Sequence, residues 1–280
     1  MKKAFTLIEL LVVIAIIALL MSIVVPAMKL AKMKASSVVC LTNTKNMALA
    51  WYSYQSDNKG RIMSAQMDGV EPRGKYVGWI GTPYRNTPGD LVMDAVNNPP
   101  ITDQDAIRGI ERGRLHEYLE SPKSYKCPGD TLRKSVYDPV TPYVSYSIPT
   151  CLYGETNPGG ARYNRQITRY DEITTPSLRY VFVEVAQERN WNASGWFSFG
   201  APEWYGVQGH NVVGGWGWWD PMAINHGDSS VLGFADGHSE TRRWADSFTR
   251  ERVTKLSGQA VGVYNVLKLT DFSDRDFGRK

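Results

Sequence analysis

Cysteine is scarce in this 280-residue chain, with three residues at positions 40, 127 and 151. They are too few for a disulfide scaffold, lack the spacing of a zinc site, and allow at most one bond with one thiol left over. A surplus of one charge is missing too. Lys and Arg number 32 against 28 Asp and Glu, a formal net charge of +4, and the basic residues are scattered among the acids. That balance argues against a nucleic-acid surface, and no DNA- or RNA-binding motif is present. There is no G-x-S-x-G nucleophile motif and no internal repeat, and His116 and His210 stand isolated. Wholesale disorder is excluded by a composition that is 42% hydrophobic and 21% charged. Glycine (25), proline (15) and tryptophan (9) are plentiful, which forecasts many loops and large aromatic contacts.

The N-terminus is the most informative region. Lys2 and Lys3 precede a run in which Leu10 to Val25 is apolar apart from Ser22. From Phe5 to Met28, Glu9 is the lone charge. As a helix that segment is roughly 36 Å long, enough to cross a hydrocarbon core of about 30 Å. The lysines favour a cytoplasmic N-terminus, which exports everything after Met28. A cleaved secretory signal, with Val25-Pro26-Ala27 near the cut, is one reading, and a simple anchor is another. Both leave Glu9 unexplained, because a charge at the bilayer centre costs about 2.5–3.5 kcal/mol and less nearer the interface.

A third reading accounts for it. Ala4-Phe5-Thr6-Leu7-Ile8-Glu9-Leu10, followed by the apolar run and Pro26, resembles the processing site of type IV pilins and type II secretion pseudopilins. The resemblance implies that a membrane-embedded prepilin peptidase cuts between Ala4 and Phe5 and methylates the new amine at Phe5. The family usually has Gly before the cut, and Ala4 departs from that. The resemblance also implies that Glu9 pairs with the Phe5 amine of a neighbouring subunit during assembly, so that two groups costly in lipid neutralise each other.

Beyond Met28 the sequence turns polar without a breaker until Asp57-Asn58-Lys59-Gly60. Leu30, Met33, Ser37, Cys40, Thr44, Met47, Trp51 and Tyr54 recur at steps of three and four, a stripe suited to lying on a compact head. Gly60 fits the C′ position, and Pro26 is expected to bend the helix near the membrane exit. The whole helix would be roughly 80 Å long. The division expected is therefore a leader at 1–4, a transmembrane helix at 5–28, its amphipathic continuation at 29–59 and an exported head at 60–280. The fold class is α+β and pilin-like, the long helix packing on an antiparallel-sheet head rich in loops.

Within the head, 81–104 reads as a polar loop, Ile107 to Leu119 as a short helix, Arg179 to Ala186 as an interior strand, and the tail after Lys268 as a frayed end. Val231 to Ala235 and His238 to Trp244 read as a hairpin with Asp236-Gly237 as a two-residue type I′ turn. Asn225-His226-Gly227 and Asp236-Gly237-His238 form a His-x9-Asp-Gly pattern. Together with Ser124-Tyr125-Lys126-Cys127-Pro128-Gly129-Asp130 and Ser145-Tyr146, that pattern resembles a group of pilin-like proteins with a longer head. The stretch near 187–222 looks particular to this chain.

A metal site built from His226, Asp228, Asp236 and His238 is disfavoured, since an extended strand would hold its two ends roughly 15 Å apart. The simpler expectation is that Asp236-Gly237 makes the turn, Phe234 is core and His226 satisfies a buried backbone group. In an exported head, Cys40 on the helical stripe and Cys127 in its Cys-Pro-Gly turn are candidates for a disulfide, with Cys151 free; three buried thiols are the alternative. Trp204, Trp216, Trp218 and Trp219, interleaved with glycines alongside Trp191 and Trp196, either form a partner surface or pack a loop-rich head.

These readings describe a non-enzymatic filament subunit without cofactor or metal. Its expected partners are prepilin peptidase, other pilin or pseudopilin subunits, an inner-membrane assembly platform and membrane lipid, and not nucleic acid. Its expected place is the bacterial inner membrane, single-pass, with the head in the periplasm or at the cell surface. The alternative is a sugar- or protein-binding module displayed on the same anchor.

Overall fold

The structure is a computed structural model that describes residues 6–65, 78–84, 102–130, 144–149, 152–153, 167–185, 196–197, 199–200, 217–218 and 223–244. The polar loop expected at 81–104 falls mostly outside these residues, as do the tail after 268 and most of 187–222.

Helix α1 spans Leu7–Asp57 and continues through Pro26. Its start is set by a capping box. Thr6 is the N-cap and its hydroxyl accepts from the Glu9 N–H, while the Glu9 carboxylate accepts from the Thr6 N–H. No glycine interrupts the run, and the first half is built from strong helix formers and β-branched residues that suit an apolar surround. This half is bare, with Leu7 77% and Ile23 67% exposed. It is long and apolar enough to cross a membrane.

The second half of α1 buries Cys40, Thr44, Met47, Ala48, Ala50, Trp51, Tyr54 and Gln55. The stripe read from the sequence thus meets the head from Met33, which lies against Gly227, and is fully buried from Cys40 onward, whereas Leu30 remains exposed because the head does not reach that far. At the C-terminus, Asn58 caps the helix and donates to the Tyr54 carbonyl, and the Gly60 N–H closes onto the Gln55 carbonyl at 2.8 Å. Left-handed backbone begins one residue earlier than expected, at Lys59 (φ 57°), and continues at Gly60 (φ 77°). The two together make the Schellman closure.

Helix α2 spans Asp103–Arg112, capped by Thr102 with Asp105 in a second capping box. The helix expected from Ile107 to Leu119 therefore starts earlier and stops at Gly113, after which Arg114–Glu117 forms a 3-10 turn. Gly113 lies so close to the chain at Trp79 that a Cβ there would meet the Trp79 carbonyl oxygen at 2.2 Å. Any side chain at this position would run into that backbone.

The strands are β1 (Tyr146–Pro149), β2 (Tyr180–Glu184), β3 (Trp196–Phe197), β4 (Phe199–Gly200), β5 (Gly217–Trp218), β6 (Ser229–Phe234) and β7 (Ser239–Arg243). Four of them form an antiparallel sheet in the order β1-β2-β6-β7, β3 adds in parallel at the β1 edge, and β4 and β5 pair separately. The pairing places Tyr146 opposite Glu184, Val183 opposite Leu232 and Leu232 opposite Glu240. A long N-terminal helix on an antiparallel sheet is an α+β arrangement consistent with a pilin-like fold. The core lies between α1 and the sheet, where Trp79 meets Phe182 edge-on at 5.6 Å and stacks on Tyr125 at 6.3 Å.

The β6–β7 turn is not the two-residue type I′ turn expected. The Phe234 carbonyl accepts from the Gly237 N–H at 3.0 Å, and the Phe234 N–H donates to the His238 carbonyl at 2.9 Å. This is a three-residue loop, Ala235-Asp236-Gly237, closed by Gly237 at φ +92°. Asp236 does not adopt the positive φ that type I′ demands, so the chain makes a type I turn followed by a glycine bulge.

Candidate functional site: the helix tip and the buried clamp

At the tip of α1, Glu9 Oε2 accepts from both the N–H and the hydroxyl of Thr6, each at 2.8 Å. The carboxylate thus lies in the first helical turn, at the positive end of the helix dipole, with two donors from its own chain. Such a carboxylate is partly compensated before a neighbour approaches, which lowers the cost of a charge in an apolar run without removing it. Ala4 and Phe5, on either side of the expected cut, lie outside the described residues. Thr6 was not singled out by the sequence reading, although Thr-x-x-Glu ahead of an apolar run is the signature of a capping box.

The second site lies where α1 meets the head. A disulfide joins Cys40 of α1 to Cys127, with Cα atoms 5.3 Å apart across 87 residues of sequence. Cys127 opens the turn Cys127-Pro128-Gly129-Asp130, closed by the Asp130 N–H donating to the Cys127 carbonyl. Ser145 ties this turn to the sheet: its hydroxyl accepts from the Cys127 N–H and donates to Asp130 Oδ2.

His226 completes the cluster from the loop before β6. Its Nε2 is 3.1 Å from Glu184 Oε1 and 3.3 Å from Cys127 Sγ. The His226 and Glu184 side chains are 2% and 0% exposed. Glu184 Oε2 accepts from the Val231 N–H at 2.8 Å, and the Gly129 N–H donates to Cys127 Sγ at 3.3 Å. Burial pushes the Glu184 carboxyl above its ordinary range, and its bonds to His226 and Val231 act against that shift. Gly129 must be glycine here, since a Cβ would lie 2.9 Å from His226 Cε1.

The sequence leads one to expect His226 to satisfy a buried backbone group; its ring pairs instead with the buried Glu184 carboxylate. His226, Asp228, Asp236 and His238, the disfavoured metal set, are not brought together. Asp236 bonds His238 Nδ1 in the exposed turn, Asp228 lies 3.6 Å from Arg243, and His226 is in the interior. The group that does converge is Cys40, Cys127, Glu184 and His226, whose ligand atoms all lie within 4.8 Å of one another. Glu184 was missed, though it stands as the single charge in the apolar run Tyr180 to Val185.

The His-x9-Asp-Gly hairpin seats the helix. At Gly233 a Cβ would meet Thr44 Cγ2 at 2.9 Å, and at Gly237 it would meet Leu49 Cδ2 at 2.7 Å. The Ser239 hydroxyl donates to the Leu41 carbonyl at 3.0 Å. Phe234, between the two glycines, is buried and stacks on the His238 ring at 4.2 Å. Trp204, Trp216 and Trp219 lie outside the described residues, and Trp218 enters only as backbone paired with Phe199.

Residues 1–25 match the family model for the prokaryotic N-terminal methylation motif. The match supports a prepilin-like protein, a substrate of prepilin peptidase with pilin-type assembly. Motif and apolar helix together fit a membrane-anchored, single-pass protein. No curated protein and no solved structure matches the chain.

Proposed function

We propose that this protein is a structural, non-enzymatic subunit of a type IV pilus-like or type II secretion pseudopilus filament, with the longer head of the His-x9-Asp-Gly group. The observation that supports it most is Glu9, a carboxylate in the first turn of a bare apolar helix, within the methylation motif. Cleavage between Ala4 and Phe5 creates an ammonium one turn from Glu9. In lipid, both charges are costly alone and compensate when the amine of one subunit meets the Glu9 of the next. The pair sets the register, the apolar halves of α1 bundle, and the heads coat the outside. Lipid holds each subunit until an inner-membrane assembly platform adds it to the filament, which extends into the periplasm or beyond the cell surface.

The test is Glu9→Ala. The variant is expected to be cleaved and to remain in the membrane but to yield no sedimentable filament. If filaments form at the wild-type level, Glu9 does not set the register; if the unsubstituted chain yields no filament either, the helix is a plain anchor that displays its head as a binding module.

A further inference from the structure

We propose that the reduced form of the clamp is a zinc site, with Cys40 and Cys127 as thiolates, His226 Nε2 and one Glu184 carboxylate oxygen as the four ligands. Metal and disulfide then exclude each other, and the same residues hold helix to head in either redox state.

The donor set is the first reason. Two sulfurs, an imidazole nitrogen and a carboxylate oxygen suit a four-coordinate zinc ion, and these atoms already lie within 4.8 Å of one another. Bonds of about 2.0–2.3 Å put tetrahedral ligands roughly 3.3–3.8 Å apart, so the cluster needs only to contract by about 1 Å while the two sulfurs separate. Placement is the second. The ligands come from α1, the Cys127 turn, the end of β2 and the loop before β6, and all four are buried. Supporting donors are in position: the Gly129 N–H on Cys127 Sγ, and the Val231 N–H on Glu184 Oε2, which leaves Oε1 facing His226. The third reason is that a disulfide needs no such neighbours. Apolar side chains would shield it as well as a buried His–Glu pair, whose desolvation is costly.

The redox step is a two-electron reduction. A phosphine reductant takes the oxygen of water to become the phosphine oxide, and the disulfide gains two electrons and two protons as two thiols. Zinc binding then releases both thiol protons.

The experiment uses the full chain in detergent, phosphine-reduced without oxygen and titrated with Co²⁺, then with Zn²⁺. One Co²⁺ per chain is expected, with thiolate-to-cobalt charge transfer and the visible bands of tetrahedral cobalt, displaced by one equivalent of Zn²⁺. The disulfide form should show neither band. Glu184→Gln and His226→Gln should each weaken cobalt binding more than about tenfold. As a second readout, Zn²⁺ should raise the thermal midpoint of the reduced chain and leave that of the oxidised chain in place. A reduced chain that gives no tetrahedral cobalt spectrum, whether folded or unfolded, overturns the proposal. So does wild-type affinity in both variants, which would put the metal elsewhere.

Discussion

The two halves of α1 are one continuous helix held by different physics. The first half presents apolar side chains to its surroundings, and its side-chain hydrogen bonds stay within the helix, between Thr6 and Glu9 in the first turn and from the Ser22 hydroxyl to the Leu19 carbonyl. The second half is held from outside by a disulfide at Cys40, by glycines 233 and 237 that let the hairpin approach, and by the Ser239 bond to the Leu41 carbonyl. An element can thus be specified locally at one end, where it waits for a partner, and globally at the other, where the partner is its own head. Changes in the clamp should move the stability of the head, and changes at the tip should not.

Five single substitutions sharpen that contrast. The largest effect is expected from Glu184→Ala, which strands His226 among buried groups and should cost about 3–5 kcal/mol in urea unfolding of the full chain. His226→Ala should cost a similar amount, and the double variant much less than the sum, which a double-mutant cycle would reveal as coupling. Next, Cys127→Ser removes the cross-link between helix and head and should destabilise by about 2–4 kcal/mol. Gly233→Ala follows, since its methyl would press on Thr44 and should cost about 1–3 kcal/mol, read as a lower urea midpoint with an unchanged slope. The smallest is Thr6→Ala, worth about 1 kcal/mol at the helix start. It should leave the unfolding midpoint of the head where it was. A shift there as large as that of Gly233→Ala would break the separation between the two halves.

The same contrast decides what could be read in advance. The tip was legible because its signals are contiguous: a basic start, an apolar run and a single carboxylate within ten residues. The buried stripe of α1 was legible through its helical spacing, and it overran at Leu30 only because spacing carries no information on where the head ends. The clamp was half legible. Cys40 and Cys127 could be paired as candidates, yet Glu184 could not be joined to His226, because their meeting depends on the β2–β6 register that sets Val183 opposite Leu232. The Asp236-Gly237 turn was placed correctly in sequence, but its type rests on the φ of Asp236, which an Asp-Gly pair leaves open. Gly113 shows the converse: a helical pattern runs past it, yet the helix ends there, at a glycine packed against the Trp79 backbone.

The most direct test of a processed, assembling subunit is the intact mass of the protein purified from membranes. The expected mass lacks residues 1–4 and carries one added methyl group. An intact N-terminus would contradict that result and leave a plain anchor, and a cut near Ala27 would make the segment an ordinary secretory signal.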